Sequence, residues 1–369
     1  MSAVSEPPAD AWVVALLALP GLGPNRLSQL TNACDARAAW KALCDGGAVS
    51  VAGVRSSTVE KWRVCARLMS VADHWDAIQS LGIAVATHHG PNYPERLSND
   101  PEPPQALFCL GQPGSLLSGS IPTVGIVGTR ECTSYGRRCA FELAAALTSA
   151  GVSVISGLAL GIDAAAHQGA LSVPEAGAAP PIGVVGSGLD VIYPKQNAGL
   201  WANVAKRGVL LSETPPGVGP ERWRFPARNR IIAGLSDAVL VVESHAQGGS
   251  LLTVDEAQLR DVPVGVVPGP ITSNAAVGTN RLLADGATPI LGVEDVLALI
   301  GYTPLHVVDG SDPTSAPCVL LDVLGWTPQS LDQICSRVDL STAEVAAEIQ
   351  RLISEGLCVQ NGVWIERVR

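Results

Sequence analysis

Lysine is scarce in this sequence: Lys41, Lys61, Lys195 and Lys206 are the only ones among 24 lysine and arginine residues. None of the four follows a glycine, which excludes a Walker A loop and ATP hydrolysis by that mechanism. The formal net charge of -10 argues against indiscriminate binding of nucleic acid, so any such site must be local. Almost all of the positive charge is arginine, the side chain that makes forked phosphate contacts and stacks on bases.

Long apolar runs and paired cysteines are also missing. Residues 1–10 carry no basic side chain, and the apolar run from Trp12 to Leu19 is far shorter than the roughly 20 residues that a membrane-spanning helix needs. The nine cysteines include no CxxC pair, so neither a disulfide framework nor a zinc site is expected. We therefore expect a cytoplasmic protein with reduced thiols, no membrane contact, no bound metal and no cofactor.

Length and composition predict a folded protein of several domains. Hydrophobic residues make up 47% of the 369 residues, and one ordinary core does not accommodate such a length. We predict a helical domain over residues 1–80, similar to a SAM or helix-hairpin-helix domain, an α/β domain over 81–300, a linker over 301–315 and a small domain over 316–369. In the first, residues 19–24 (LPGLGP) resemble a hairpin whose glycines bring backbone amides close to a phosphate; an interhelical turn without a ligand is equally compatible.

The middle of the chain alternates apolar runs with helical segments, which predicts a Rossmann-like, doubly wound parallel sheet. One predicted helix runs from Tyr135 to Ala150, and residues 172–181 are expected to form an exposed loop. The predicted strands are Thr123–Val127, Val152–Ile155, Ile182–Val185, Val209–Leu211, Ala238–Val242 and Val264–Val267.

The last segment predicts a winged helix that ends in a short strand over residues 363–368. Its predicted recognition helix, residues 341–354, carries the acidic Glu344 and Glu348 and a single basic residue, Arg351. Such a surface suits phosphates poorly. We therefore expect a protein-contact or regulatory module rather than a reader of DNA sequence.

Small and basic residues follow the first three predicted strands. Because ligands of doubly wound sheets bind beyond the carboxyl ends of the strands, these positions are candidates for an anion site built from backbone amides and helix N-termini. The candidate residues are Gly128, Thr129, Arg130, Ser156, Gly157, Ala159, Gly161 and Lys195.

Residues 221–230 (ERWRFPARNR) form the densest basic segment, with four arginines, one glutamate and two aromatics. Arginine for phosphates and an aromatic ring for a base is the composition of a platform for single-stranded nucleic acid. Pro226 suits the first position of a helix. The alternatives are that Phe225 belongs to the core and that some arginines pair with Glu213 or Glu243. The candidate contacts are Arg222, Arg224, Phe225, Arg228, Asn229 and Arg230.

Three enzymatic interpretations are alternatives to binding. Asp163 and His167 are four residues apart, but a helix N-cap and a packing residue explain them better than an acid and base pair. Gly125 and Gly128 are not followed by the third glycine of a dinucleotide-binding turn. Residues 248–256 (GGSLLTVDE) resemble the glycine turn and glutamate of phosphoribohydrolases that cleave nucleoside monophosphates; with Gly249 and Ser250 this turn is as easily the phosphate-binding start of a helix.

Several strings together resemble the DNA-processing protein A family, also called the Smf family. They are residues 126–130 (IVGTR), 156–167 (SGLALGIDAAAH), 193–197 (YPKQN), 212–213 (SE), 225–237 (FPARNRIIAGLSD) and 268–269 (PG). The resemblance covers most of the chain, including the helical N-terminal domain and the winged helix. Linked motifs in this order are highly specific, whereas each alone would be weak.

The resemblance implies a homodimer formed through the Rossmann-like domain that binds incoming single-stranded DNA and loads RecA recombinase in natural transformation, without enzymatic turnover. It implies that Arg130 and Lys195 contact backbone phosphates, that Arg228 and Arg230 lie at the rim, and that the turns at 157, 161 and 249 form the floor. Two departures stand out: Gln247 and Gly248 occupy positions where relatives usually have lysine or serine, and the loop over 172–181 is longer than usual.

Overall fold

The computed structural model describes residues 6–31, 34–114, 119–303, 320, 324, 329–338, 340–354, 358–361 and 364–367. The chain divides into two compact units, Met1–Leu305 and His306–Arg369. Within the predicted linker, residues 304–315 lie outside the described residues. The predicted boundary at residue 80 falls inside the first unit, and the four predicted domains stay predictions.

Helices make up much of the first unit, and some of them begin at a side-chain N-cap. Asp35 accepts a hydrogen bond from the Ala38 amide, and Thr133 accepts one from the Gly136 amide, as helix N-caps do. The helices in the described part of this unit are α1 (Ala9–Leu17), α2 (Pro24–Thr31), α3 (Ala36–Asp45), α4 (Ser56–Leu68), α5 (Val71–Ser80), α6 (Glu95–Ser98), α7 (Ser134–Ser149), α8 (Ile162–Ser172), α9 (Ala198–Arg207), α10 (Arg224–Leu235), α11 (Leu251–Leu259), α12 (Val277–Ala284) and α13 (Val293–Leu299).

One nine-stranded sheet in the order β1-β2-β6-β5-β4-β3-β7-β8-β9 forms the centre of this unit. Its strands are β1 (Ile83–Thr87), β2 (Ala106–Gly111), β3 (Thr123–Val127), β4 (Ser153–Ser156), β5 (Ile182–Val185), β6 (Val209–Ser212), β7 (Ala238–Val241), β8 (Val264–Val266) and β9 (Thr288–Pro289). The six predicted strands correspond to β3–β8, and the predicted helix over 135–150 corresponds to α7.

The sheet is mostly parallel. β3 pairs in parallel with both β4 and β7, so that Val124 lies between Val154 and Ala238. The expectation of a wholly parallel sheet is wrong at one edge, where β2 pairs antiparallel with β6 and β1 antiparallel with β2. The strand order reverses direction at β3 and β7, which makes the gap beyond their carboxyl ends the switch point of the sheet.

Close helix packing covers both faces of the parallel strands. The residues of β3, β4, β5, β6 and β7 are all buried, as in a sheet sandwiched between helix layers. On one face α7 crosses α8 at Gly169, where a Cβ atom would lie 2.1 Å from the Phe141 carbonyl oxygen. Only glycine permits that approach, so the position of α8 relative to α7 is fixed by backbone contact.

The N-terminal helices α1–α4 pack around a core of their own. Trp62 is fully buried, and its indole Nε1 donates a hydrogen bond to the Pro20 carbonyl oxygen at 2.9 Å. Arg26 Nη1 donates to the Gly21 carbonyl oxygen at 2.7 Å. These two bonds fix the hairpin of residues 19–24 from two sides. Val14 of α1 packs with β-strand residues such as Val85, so the helices also cover part of the sheet.

The second unit contains, in its described residues, α14 (Leu331–Cys335), α15 (Thr342–Ser354) and an antiparallel sheet in the order β10-β12-β11, with β10 (Gln329–Ser330), β11 (Cys358–Asn361) and β12 (Trp364–Arg367). α15 confirms the helix predicted over 341–354, and β12 confirms the final strand, whose ends Val363 and Val368 lie outside the described residues. Glu348 forms an ion pair with Arg351 at 2.5 Å. The winged helix as a whole stays a prediction.

No helix among the described residues is long and apolar enough to cross a membrane.

Candidate functional site

A cleft of about 720 Å³ opens at the switch point of the sheet, beyond the ends of β3 and β7. It brings together ten of the sixteen predicted site residues: Gly128, Thr129, Arg130, Ala159, Arg222, Phe225, Arg228, Asn229, Gly249 and Ser250. The loop after β3, the start of α10 and the loop before α11 supply most of its walls. The strand-end rule therefore located the cleft from the sequence.

The loop after β3 holds Arg130 at the mouth of this cleft. The Thr129 amide donates to the Glu243 carbonyl oxygen at 2.8 Å, and the Ile162 amide donates to the Thr129 carbonyl oxygen at 3.2 Å. At Gly128 a Cβ atom would lie 2.5 Å from the Ile162 side chain. The backbone just before the exposed Arg130 is thus tied to Glu243, after β7, and to the start of α8.

Glu243 fixes the far end of the same loop. Its carboxylate is buried and accepts hydrogen bonds from the Thr133 amide at 2.9 Å and from Thr133 Oγ1 at 2.5 Å. A Cβ atom on Gly136 would lie 2.3 Å from this carboxylate. Glu243 therefore positions the N-terminus of α7 instead of pairing with the arginines of residues 221–230, which answers one of the alternatives. The position of Glu243 just after β7 is the feature of the sequence that could have indicated this role.

Phe225 lies in the cleft between a cation and a second ring. The guanidinium carbon of Arg130 lies 5.2 Å from the centre of the Phe225 ring, a cation–π distance. The Tyr193 ring lies 5.5 Å away on a tilted plane. Phe225 is half-buried and lines the cleft, so it is not simply a core residue. Tyr193 belongs to the YPKQN string, but the sequence alone assigned it no role.

The start of α10 differs from the prediction. The helix begins at Arg224, so Pro226 is its third residue and not its first. The position remains compatible with proline because the first four amides of a helix have no intrahelical partner. This start sets which side chains of the basic segment face the cleft.

Arg228 is a buried part of the cleft wall rather than an exposed rim residue, because only 7% of it is accessible. Its Nη1 donates to the Val184 carbonyl oxygen at 2.5 Å. A Cβ atom on Gly157 would lie 1.8 Å from that nitrogen. Gly157 is therefore required to make room for the guanidinium and does not form an exposed floor. Burial lowers the pKa of Arg228, and the nearby Asp163 carboxylate opposes that shift.

Asp163 lies in the first turn of α8 and also lines the cleft. The prediction that it caps α8 is wrong, since the N-cap is Gly161, at a φ of +80°. A Cβ atom on Gly161 would lie 2.3 Å from the Thr129 carbonyl oxygen, which fixes α8 against the loop after β3. Burial raises the pKa of Asp163, and the positive charge of Arg228 counteracts it.

His167 is fully buried on α8, one turn beyond Asp163. Burial lowers the pKa of its imidazole to about 4, so the ring is neutral near pH 7. Its side chain is not among those that line the cleft. These findings agree with the packing role that the sequence predicted.

Six predicted site residues do not line the cleft. Ser156 is buried, and its hydroxyl donates to the Ile126 carbonyl oxygen at 2.6 Å. Arg230 is buried in an ion pair with Glu213 at 2.6 Å, as one alternative proposed, and so is not a rim contact. Lys195 is exposed in a short 3-10 helix just after Tyr193 and Pro194. The other three are Gly157, Gly161 and Arg224.

The loop before α11 forms the opposite wall of the cleft. Ser250 Oγ donates to Ser244 Oγ at 2.9 Å, and the Gly248 amide donates to the His245 carbonyl oxygen at 3.0 Å. Gln247 and Gly248, the two departures from the family pattern, both line the cleft. α11 begins directly afterwards, at Leu251, and Leu252 and Thr253 of its first turn line the cleft, so the partial positive charge of this helix N-terminus lies beside the same space.

The glutamate of the phosphoribohydrolase-like string lies away from this space. Glu256 is in the last turn of α11 and forms an ion pair with Arg260 at 2.5 Å. Arg260 also pairs with Asp100 at 2.6 Å. Glu256 is therefore part of a salt-bridge network and does not line the cleft.

Among the residues that the structure describes, no group of three or more histidine, cysteine, aspartate or glutamate side chains could hold a metal ion.

A search of family models matches residues 84–301 to the family of DNA recombination-mediator protein A. A relative from Synechocystis sp., Protein Smf, is 38% identical and covers 95% of this chain and 96% of its own length. The DNA processing protein DprA of Bacillus subtilis is 38% identical over 60% of this chain and 72% of its own length.

Two solved structures resemble this one. The X-ray structure of DNA processing protein A from Streptococcus pneumoniae aligns with a TM-score of 0.65 at 29% identity, over 78% of this chain and 97% of that one. A structure of DNA processing protein A from Helicobacter pylori, described by its authors as giving insight into a unique single-stranded DNA binding mode, aligns with a TM-score of 0.53 at 30% identity, over 60% and 97% of the two chains.

Proposed function

Because this chain belongs to the DNA recombination-mediator protein A family, we propose that it binds single-stranded DNA in the switch-point cleft. The observation that carries the proposal is the arrangement of Arg130 over Phe225 at the cleft mouth, with the exposed Arg222 beside them. A guanidinium beside an aromatic ring offers one group to a phosphate and another to a base. The single-stranded DNA binding of the Helicobacter pylori relative supports the same role.

In this proposal the strand lies across two walls of the cleft. Phosphates contact Arg130 and Arg222 on one side and the amides at the start of α11 on the other. A base stacks in the region of Phe225 and Tyr193. The site is sequence-tolerant, since phosphates and ring faces are common to all nucleotides.

We further propose that the protein acts by binding and not by turnover. The ion pair of Glu256 with Arg260 occupies the carboxylate that the hydrolase alternative requires. If the alternative were right, incubation with nucleoside monophosphates would release free base, and Glu256→Gln would abolish that release. We expect no release from either protein.

The family resemblance supports several finer proposals. The chain forms a homodimer through its Rossmann-like domain, and it transfers bound DNA to a RecA-type recombinase during natural transformation. It does so in the cytoplasm, with the second unit as a winged helix that contacts protein and the first 80 residues as a SAM-like or helix-hairpin-helix-like domain. Removal of residues 316–369 tests the assigned role of the second unit: DNA affinity should persist while recruitment of the protein partner is lost.

Equilibrium binding of single- and double-stranded oligonucleotides over a range of salt concentrations tests the central proposal. We expect tighter binding of the single strand and a steep loss of affinity with salt. Arg130→Ala should weaken binding and flatten the slope of log K against log salt by about 0.7, the contribution of one phosphate contact on a single strand. Arg281→Ala, an exposed arginine of α12 outside the cleft, is the matched control. Equal affinities of the Arg130→Ala protein and the parent would contradict the proposed site.

A further inference from the structure

A second cavity, of about 630 Å³, shares Arg228 with the switch-point cleft. Its walls are the hairpin of residues 19–24, the loop of residues 215–218 after β6, and one side of α10. Trp223, Arg224 and Ala227 face this cavity, whereas Arg222, Phe225 and Asn229 face the cleft. The start of α10 is thus a partition with a different set of side chains on each side.

The surfaces of the second cavity are largely apolar. Leu19, Leu22, Pro215 and Val218 line it, and the indole of Trp223 is 56% exposed. Trp223 also carries the guanidinium of Arg224 at 4.4 Å from its ring centre. A large, accessible ring on an apolar wall is a stacking surface for a flat ligand.

Three polar side chains on this wall have a buried atom without a protein partner. They are Glu213 (Oε1), His74 (Nε2) and Arg224 (Nε). Such atoms are uncommon in folded proteins, because a buried donor or acceptor that has lost its water and gained no partner is unfavourable. A ligand with complementary groups on its edge would supply the missing partners.

The charges in the second cavity favour a base over a phosphate. The carboxylate of Glu213 lines it, and both arginines that line it are engaged, Arg224 in an ion pair with Glu221 at 3.4 Å and Arg228 in a hydrogen bond to the Val184 carbonyl oxygen at 2.5 Å. A phosphate placed there would lose its hydration next to a negative charge. A base has no charge to desolvate, and its amino groups donate to a carboxylate.

We propose that the second cavity accepts one base of the strand bound in the cleft, stacked on Trp223 and hydrogen-bonded by Glu213, with a preference for guanine. Guanine is favoured because its edge carries an imino and an amino donor side by side, whereas thymine has no amino group. The inference rests on the proposed binding of single-stranded DNA. It adds a base preference to a site that is otherwise tolerant of sequence.

The hairpin of residues 19–24 then has a role other than the phosphate contact suggested by its glycines. Its carbonyl oxygens at Pro20 and Gly21 are bonded to Trp62 and Arg26, so the hairpin is held rigidly as one wall of the cavity. The helical segment thereby contributes to recognition of the DNA without contacting its backbone.

Binding of a twelve-nucleotide thymidine oligonucleotide is compared with binding of the same oligonucleotide carrying a single guanosine at each position in turn. We expect one position at which guanosine strengthens binding roughly tenfold, as a specific base contact does. Trp223→Ala should remove this preference and still bind the thymidine strand. Trp364→Ala, an exposed tryptophan of the second unit, is the matched control and should keep the preference.

Glu213→Gln provides a second variant, and thermal unfolding shows whether it is folded, since Glu213 also pairs with Arg230. It should reduce the preference without abolishing binding of the thymidine strand. If the parent protein binds thymidine strands in an Arg130-dependent manner but no guanosine position matters, the inference fails and the proposed function stands. A preference that survives in both variants arises elsewhere and also overturns the inference. Failure to bind any strand contradicts the proposed function itself.

Discussion

Two groups of arginines in one short stretch of chain have opposite surroundings. Arg222 is exposed at the cleft, whereas Arg228 and Arg230, six and eight residues later, are each only 7% accessible. Arg130, on another loop, resembles Arg222 in being exposed. One basic segment can therefore place arginines both on the surface and in the interior of a protein. The number of arginines in such a segment does not by itself give the number of contacts available to a polyanion.

The difference predicts separate effects on stability and on binding. Exposed arginines such as Arg222 are surrounded by water and can change partners. Buried arginines such as Arg228 and Arg230 compensate buried carboxylates or carbonyl groups, so their loss leaves a polar group unpaired.

Arg228→Met should lower the free energy of unfolding by about 3 kcal/mol, since the buried Asp163 would lose its nearest compensating charge and the Val184 carbonyl oxygen its donor. Urea unfolding of the purified variant measures the change. The double variant Asp163→Asn with Arg228→Met should recover part of the loss, because neither residue of the pair then carries a charge. A single variant as stable as the parent would show that Arg228 is not needed to compensate the interior.

Acidification should destabilise the protein through His167. Burial lowers its pKa to about 4, below the usual 6.5, so the folded state resists protonation. The stabilising contribution is complete above pH 6.5 and is lost as pH falls toward 4, by about 2 kcal/mol at pH 5. Unfolding curves of the parent and of His167→Leu between pH 7 and 5 measure this. Equal pH slopes in the two proteins would assign the effect to other groups, of which Asp163 and Glu213, whose pKa values are raised by burial, act in the opposite direction.

Gly136→Ala should destabilise the protein by about 1 to 2 kcal/mol, because the new methyl group overlaps the Glu243 carboxylate. Gly199→Ala on α9 is the matched control, since nothing lies within 4 Å of a Cβ atom there. The control should be neutral or slightly stabilising, as alanine favours helix. Differential scanning calorimetry compares the two. A Gly136→Ala protein as stable as the parent, with unaltered DNA binding, would mean that the loop after β3 accommodates the methyl group without a loss of stability.

Arg222→Ala should change the free energy of unfolding by less than about 0.5 kcal/mol, as is usual for exposed residues, yet weaken binding of single-stranded DNA. The pair of measurements, urea unfolding and salt-dependent binding, separates it from Arg228→Met. A large loss of stability in Arg222→Ala would end the distinction between the two groups.

The sequence predicted the inner strands well, because each is a continuous apolar run buried on both sides. The outer strands β1, β2 and β9 were not predicted. Ala84 in β1 is exposed between buried neighbours, a short alternation that gives a weak signal. The location of a binding cleft beyond the carboxyl ends of the strands, in contrast, depends only on the topology of the sheet. The residues that follow the predicted strands therefore indicated where the cleft lies.

The surroundings of individual side chains were harder to predict. Burial of Arg228 and Arg230 depends on where α10 begins and on which elements pack against it, and neither is encoded in the ten residues around them. The hydrogen bond that Thr133 donates to Glu243 joins residues 110 positions apart in the chain. Asp163 was misassigned by one feature of local geometry, since a glycine at positive φ takes the N-cap position that aspartate usually prefers.

The carboxylate at the end of β7 has a consequence for the kinetics of binding. Because Glu243 orders the loop after β3 during folding, the conformational entropy of that loop is spent before any strand arrives. DNA then docks onto a preformed site. The association rate constant should depend on ionic strength, and it should not be limited by the closure of a flexible segment, which would make it sensitive to viscosity. A single carboxylate distant from the ligand would in this way set how quickly the protein captures a strand.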